Sequence, residues 1–239
     1  MNKSFFISRR RFLSWAAVSG WAGISARRSF AQEPEPGWIT QAIPYVHQPG
    51  GGYCYQAGLA MVLRYFFPGE KTAFRELDRL THHRPGSWTF EAQLLPALLD
   101  RGLRVELHAT TPYAELTPGL AEKRYGKEAA ARLDFRALAW AREFLQPGVF
   151  FQHGLEWKDA AENFRAGGTI FFCVNEDVLV GQNLGKFIGH GLVLTGLSTD
   201  QARVHDPARY ENMPYPQTRL AAAFTSPGTD RACLLIRRG

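Results

Sequence analysis

The sequence predicts an α+β fold in which a helical half is followed by an antiparallel β-sheet half. Apolar residues recur at helical spacing through the first half of the chain, up to about residue 166. From residue 169 onward they form short runs separated by polar turns, which is typical of strands. The sequence contains no internal repeat, so a solenoid is not indicated.

The first predicted helix begins at Cys54. Apolar side chains recur at helical spacing as far as Phe66, and no charged residue precedes Arg64, so we expect this helix to be mostly buried. Residues 50–52 are three glycines, which let the backbone pass close to a bound group and bring Gln48 near the helix.

Two further helices and a strand complete the helical half. Gly102 ends the first of these helices, and Pro147 with Gly148 ends the second. In chain order the elements are a helix over residues 89–101, a strand at Leu103–His108 and a helix over residues 127–145.

The β half places a histidine beside an aspartate. The four predicted strands are residues 169–175, 191–197, 202–206 and 232–237. His190 stands directly before the second strand, at the start of a strand-like run from Gly189, and a polar turn over residues 198–201 joins this strand to the third, which ends at Asp206. Because the outer ends of a hairpin meet, we expect Asp206 to lie next to His190.

These residues match the needs of a thiol hydrolase. A cysteine is nucleophilic as the thiolate, and the first turn of a helix favours that form at Cys54. His190 is the candidate base and Asp206 the carboxylate that orients it. Gln48, six residues before the cysteine, is the candidate donor to the oxyanion, together with the backbone N–H of Cys54.

In these residues the sequence resembles the papain-like cysteine peptidases of the bacteriocin-leader ("double-glycine") type and their stand-alone relatives. That family has a Gln, a nucleophilic Cys six residues later at a helix start, a His opening a strand, and an Asp-Pro about sixteen residues on. Gln48, Cys54, His190 and Asp206-Pro207 agree in identity, order and spacing. Family members usually have Gly after the Cys, whereas this chain has Tyr55, which bears on the shape of the substrate groove.

The resemblance implies a papain-like fold and hydrolysis of a peptide or amide bond through an acyl-enzyme, with a peptide or protein as substrate and no cofactor. Two other functions stay open. An acyltransferase or transpeptidase would use the same triad with an amine as acceptor. A papain-like domain can also act as a non-catalytic periplasmic accessory that binds or matures peptides.

The N-terminus predicts export. Arg9 and Arg10 precede a moderately apolar run that ends in Ser29-Phe30-Ala31, which is typical of a twin-arginine signal peptide over residues 1–31. The run is too short for a stable membrane anchor. We expect recognition by the twin-arginine translocase, cleavage before a linker at residues 32–38, a peptidase domain at residues 39–239, and a periplasmic or secreted location.

The net positive charge of the chain comes from residues 1–31. Residues 1–31 hold six of the 28 basic residues and none of the 22 acidic ones, so residues 32–239 carry 22 of each. A nucleic-acid-binding protein would carry a basic surface, so this function is not indicated.

The remaining cysteines and histidines suggest no metal site, because they lack ligand spacing. Cys173 and Cys233 both lie in apolar strand runs, where two buried free thiols are favoured, and a disulfide between neighbouring strands is the alternative. His47 and His205 are expected on the cleft wall or the surface. Asn175 is expected either to line the cleft or to cap the following loop.

Overall fold

The computed structural model of the chain describes residues 36–70, 72–182 and 184–239. The predicted signal peptide, residues 1–31, lies outside the described residues, as does most of the predicted linker. Within the described residues no helix has the length and apolar character needed to cross a membrane.

Nine helices and eight strands are found in the described residues. The helices are α1 Cys54–Phe66, α2 Phe74–Thr81, α3 Leu95–Leu99, α4 Pro118–Tyr125, α5 Lys127–Ala130, α6 Phe135–Ala141, α7 Trp157–Arg165, α8 Glu176–Val180 and α9 Gln217–Phe224. The strands are β1 Ile39–Thr40, β2 Leu103–His108, β3 Phe150–Phe151, β4 Thr169–Asn175, β5 Gly189–Leu197, β6 Gln201–His205, β7 Met213–Pro216 and β8 Cys233–Arg238. Two 3₁₀ turns, Glu91–Leu94 and Arg142–Phe144, adjoin α3 and α6.

All the strands of the described residues join one sheet, in the order β3-β2-β8-β4-β5-β6-β7, with β1 paired to β5. Among the strand pairs of the described part of the chain, only the short β2–β3 pair is parallel. The predicted hairpin is β5–β6, in which Val193 lies opposite His205. The structure therefore confirms the predicted α+β class, and it adds β2 and β3 from the helical half to one edge of the sheet.

Helices cover both faces of the sheet, which is why every residue of β4 is buried. On one face Phe171 packs with α1, and on the other face Phe172 packs with Phe164 of α7 and Phe224 of α9. Helix α1 approaches β4 closely at Gly58, where a Cβ would stand 2.2 Å from the Phe171 ring. The cysteine-bearing helix is thus seated directly on the centre of the sheet.

The two strand cysteines are free thiols. Strands β4 and β8 are neighbours, and the residue opposite Cys233 is Phe172. Cys173 is one residue further along, so its side chain points to the other face of the sheet. Alternation of side chains across the sheet therefore rules out the disulfide.

The prediction of one helix over residues 127–145 is wrong. The chain forms α5, leaves helical geometry and restarts as α6 at the N-cap Asp134, whose carboxylate accepts from the N–H groups of Arg136 and Ala137. The non-helical residues between them pair with another segment, because the N–H of Trp88 donates to the carbonyl of Arg132 at 2.6 Å. A tertiary contact replaces the helical hydrogen bonds that the pattern predicts.

Candidate active site

Cys54 is the first residue of α1 and is 8% exposed. Tyr53, at the N-cap, makes no side-chain hydrogen bond to the helix, and the first turn contains no acidic residue. The backbone N–H groups of that turn are therefore available to stabilise a thiolate at Cys54, and the helix dipole favours the same charge. Gly52 has φ +87°, and a Cβ there would stand 3.1 Å from the carbonyl oxygen of Ser87. The loop before the nucleophile hence requires glycine at this position.

His190 is the second residue of β5 and is 4% exposed. Its Nε2 donates to Oδ1 of Asp206 at 2.8 Å, so Nδ1 is left for the Cys54 thiol, with which the ring also interacts. Burial lowers the pKa of His190, but the hydrogen bonds to Asp206 and Cys54 outweigh it and raise this pKa from 6.5 to about 10. The ring is therefore an imidazolium at neutral pH, able to pair with a thiolate.

Asp206 follows directly after β6 and is fully buried behind the histidine. Its Oδ1 also accepts from the N–H of Ala208 at 2.9 Å, and its Oδ2 accepts from Arg209 at 2.7 Å. Burial raises the pKa of this carboxyl, yet its bonds to His190 and Arg209 outweigh that effect and lower it overall. Both oxygens thus accept hydrogen bonds from donors, and the carboxylate is held as an anion in one orientation.

Sequence reasoning did not identify Arg209, whose guanidinium bridges Asp206 and Glu176, the latter at 2.6 Å. Its position three residues after Asp206 is the only local signal for this role. Because Glu176 is the first residue of α8, the bridge ties the aspartate to the helix that follows β4. Arg209 therefore fixes the second oxygen of Asp206 while the first faces the histidine.

Gln48 lies in the segment before the glycine loop, and its backbone N–H donates to the carbonyl of Pro207 at 2.9 Å. Its side chain lines the same cavity as Cys54 and His190. The buried Oε1 has no hydrogen-bond partner among the described residues. The predicted oxyanion donor is the Nε2 group of the same side chain, since an amide oxygen can only accept a hydrogen bond.

His205 anchors the Gln48 segment, although the sequence predicts a residue of the cleft wall or the surface. It is 1% exposed, its Nε2 donates to the carbonyl of Ile43 at 2.7 Å, and its Nδ1 accepts from the N–H of Asn212 at 3.0 Å. Burial lowers the pKa of His205, consistent with a neutral ring that donates at one nitrogen and accepts at the other. Its side chain does not line the cleft, since both ring nitrogens bond to backbone groups of other segments. His47 is exposed, as predicted.

Asn175 caps the loop that follows β4, which was one of its two predicted roles. Its Oδ1 accepts from the N–H groups of Asp177 and Ile188, and its Nδ2 donates to the carbonyl of Lys186. These bonds hold the segment that carries Phe187 and Ile188 to the rim of the cavity. The residue therefore shapes the cleft through the loop and does not contact the triad.

The candidate triad opens into a cavity of about 250 Å³. Gln48, Cys54 and His190 line it, whereas Asp206 lies behind the histidine. Aromatic side chains form much of its wall, namely Tyr55, Trp88, Phe90, Tyr125 and Phe187. A cleft of this kind, largely apolar with a few convergent polar groups, is typical of ligand sites.

Tyr55 shapes the inner end of this cavity. Its ring packs edge-on against Phe171, with ring centroids 5.1 Å apart, and its hydroxyl donates to Glu91. Glu91 also accepts from the hydroxyl of Tyr113 at 2.6 Å, and Asp230 lines the same end. Sequence reasoning missed Glu91 and Asp230, which come from segments far apart in the chain and carry no local motif.

No protein-family model and no curated protein matches the sequence. Among solved structures, similar folds include a double glycine motif protease from an AMS/PCAT transporter in complex with the leader peptide, at 16% identity and a TM-score of 0.46, covering 84% of this chain and 94% of that chain. The peptidase domain of Streptococcus ComA, a bi-functional ABC transporter of a quorum sensing pathway, is 13% identical with a TM-score of 0.48, covering 82% and 98%. A C39-like peptidase from Bacillus anthracis is 12% identical with a TM-score of 0.47, covering 84% and 98%.

All three are described as proteases, peptidases or peptidase domains. Their identities and TM-scores are low. The chemistry proposed for this chain accordingly rests on its own geometry: a buried cysteine at a helix start, a histidine and an aspartate joined across a β-hairpin, and one cavity that contains the reacting groups.

Proposed function

We propose that this protein is an exported thiol hydrolase that cleaves a peptide or amide bond through the triad Cys54, His190 and Asp206. The observation that carries the proposal is the imidazole of His190, bonded through Nε2 to Asp206 at 2.8 Å and in contact with Cys54 through the other side of its ring. A buried imidazolium stabilises a neighbouring thiolate, which a nucleophilic cysteine requires and a purely structural cysteine does not.

The reaction proceeds in two halves. The thiolate sulfur of Cys54 attacks the carbonyl carbon, and the oxyanion receives hydrogen bonds from the Gln48 amide and the backbone N–H of Cys54. His190 gives its proton to the leaving nitrogen, the C–N bond breaks, and a thioester remains. The neutral imidazole then takes a proton from water, the hydroxide adds to the thioester, and the acid leaves as the sulfur returns to the thiolate.

Export through the twin-arginine route is part of the proposal, since the segment that precedes the domain has the composition of such a signal. The hydrolase would then act in the periplasm or outside the cell on a peptide or protein. The reaction needs only the side chains named above, so the proposed chemistry includes no cofactor.

The test uses the chain's own cysteines as internal controls. Iodoacetamide at pH 6 should label Cys54 rapidly. Cys173 and Cys233 should remain unlabelled in the folded protein, because burial raises the pKa of both thiols and keeps them protonated. Peptide mass spectrometry assigns each adduct. In the His190→Ala variant the labelling of Cys54 should slow to the rate of an ordinary thiol.

Rapid labelling supports the hydrolase, and substrates can then be sought with the Cys54→Ala variant as a trap. If Cys54 is labelled slowly and at the same rate in the wild type and in His190→Ala, then His190 does not activate the thiol and the hydrolase is contradicted. The papain-like domain would then be a non-catalytic peptide-binding accessory.

A further inference from the structure

The inner end of the cavity holds a buried carboxylate without a cationic partner among the described residues. Glu91 is 7% exposed, and its oxygens accept from the hydroxyls of Tyr55 and Tyr113, both of them neutral donors. Burial raises the pKa of Glu91 because the charged form loses its solvation, and the two tyrosines oppose this only in part. A cation brought to this carboxylate would supply the stabilisation that the fold does not.

Asp230, at the same end of the cavity, differs from Glu91 because it already forms an ion pair with an arginine. Arg124 donates to its Oδ1 through Nε at 2.6 Å, and the hydroxyls of Thr111 and Tyr125 donate to Oδ2. The inner end therefore has two carboxylates and one guanidinium. Glu91 is the carboxyl group whose hydrogen-bond donors are both neutral.

The walls that lead to Glu91 suit a long side chain with a cationic tip. Trp88, Phe90 and Tyr125 line the cavity, and aromatic side chains can pack an alkyl stem and attract an ammonium group. Arg132 also lines the cavity, but it is exposed, and its guanidinium lies 5.7 Å from the Trp88 ring. Tyr55 follows Cys54 directly and bonds to Glu91, and the cysteine and the carboxyl group line the same cavity.

We infer that Glu91 determines specificity, and that the cavity accepts the ammonium or guanidinium group of a basic residue in the peptide substrate. The inference rests on the proposed function, in which Cys54 attacks a peptide. The Glu91 carboxylate receives the cation, the tyrosine hydroxyls hold the carboxylate in place, and the aromatic wall covers the aliphatic stem. An acidic or purely apolar residue leaves the buried charge unpaired and binds more weakly.

The test is calorimetric titration of the full chain with two matched compounds. N-acetyl-lysine methylamide carries the ammonium, and N-acetyl-norleucine methylamide has the same four-carbon stem without it. We expect the lysine compound to bind the wild type about 10- to 100-fold more tightly, which is the usual effect of a hydrogen bond between charged groups. The Glu91→Gln variant keeps the size of the side chain and one of its two acceptor oxygens but should lose this preference.

Glu156→Gln is the matched control, because Glu156 pairs with Arg231 outside the cavity and its replacement should leave the preference unchanged. If Glu91→Gln fails to fold, the wild-type protein alone tests the inference. N-acetyl-glutamate methylamide should then bind it more weakly than the lysine and norleucine compounds do. Equal binding of the lysine and norleucine compounds, no measurable binding of the lysine compound, or a preference that survives in Glu91→Gln overturns the inference.

The measurement does not use the reactivity of Cys54, so it separates this inference from the proposed function. Rapid alkylation of Cys54 without a lysine preference removes only the basic subsite. A lysine preference with an unreactive Cys54 removes the hydrolase and leaves a binding cleft for basic peptides.

Discussion

Replacing Asp206 by Asn tests whether the carboxylate holds the histidine as an imidazolium. In the wild type Oδ1 accepts from His190 and Ala208, and Oδ2 accepts from Arg209, so both oxygens face donors. An amide of the same shape must turn its NH₂ toward one of these donors. Either the histidine or the arginine then loses its acceptor, and the negative charge is lost in both cases.

The size of the effect follows from the pKa of His190. Its rise from 6.5 to about 10 corresponds to about 5 kcal/mol in favour of the protonated ring. Burial lowers this pKa, and after burial the hydrogen bond to Asp206 is the largest influence on it, so without the carboxylate the pKa of the ring should fall and less of the ring should be protonated at pH 7. Because the folded-state pKa is the raised one, this contribution to stability is complete below pH 6.5 and is lost as the pH rises through about 10.

The assay is the rate of Cys54 alkylation between pH 5 and 10, with isotope-edited NMR of the His190 ring as a direct readout. A thiol with the ordinary pKa of about 8.5 is about 0.3% ionised at pH 6, whereas a thiolate paired with an imidazolium is largely ionised there. We therefore expect the wild type to react on the order of 100-fold faster than Asp206→Asn at pH 6. Turnover should fall further, by up to about 10⁴, since the imidazole can also adopt the wrong tautomer.

Asp200→Asn is the control, because Asp200 lies exposed in the turn at the opposite end of the same hairpin. It should react like the wild type. Overlapping rate–pH curves for the wild type and Asp206→Asn would show that the carboxylate does not sustain the imidazolium, and the reasoning from the geometry would be refuted.

Three other changes test separate parts of the proposal. Gln48→Ala should lower turnover by about 10²–10³ and leave alkylation unchanged, since alkylation forms no oxyanion; unchanged turnover would place the oxyanion donor elsewhere. His205→Leu should lower the free energy of unfolding in urea by about 1–3 kcal/mol for each of the two backbone groups left unpaired, and an unchanged midpoint would contradict its anchoring role. Changing Arg9 and Arg10 together to Lys should leave unprocessed precursor in the cytoplasm, so normal appearance of a chain that begins at Gln32 would argue against twin-arginine export.

Local sequence determined the elements that present the triad. Helix α1 begins at Cys54, as predicted, because apolar residues follow at helical spacing and the glycine loop before them cannot continue the helix. Strand β4 has the predicted bounds, and the turn after β5 sets the pairing of the hairpin. His190 and Asp206 are only sixteen residues apart, so hairpin geometry alone brings them together.

Tertiary structure decided the rest of the candidate site. Glu91 lies 36 residues from Tyr55 and 22 from Tyr113, and Asp230 lies 106 residues from Arg124, distances along the chain that no periodic pattern spans. Their positions follow from how helices and loops pack around the end of the sheet.

The breaks in regular structure have the same origin. Residues 131–134 leave the helical path because Arg132 pairs with Trp88, and the Asp134 carboxylate that starts α6 also accepts from Arg84 at 2.5 Å. His205 donates to the carbonyl of Ile43, which lies 162 residues earlier in the chain. Its burial therefore depends on a contact that the local sequence does not indicate. A periodic pattern reports which face of an element is apolar, and it therefore predicts elements and close neighbours. Which distant polar groups meet in a cavity depends on packing, which only the folded chain specifies.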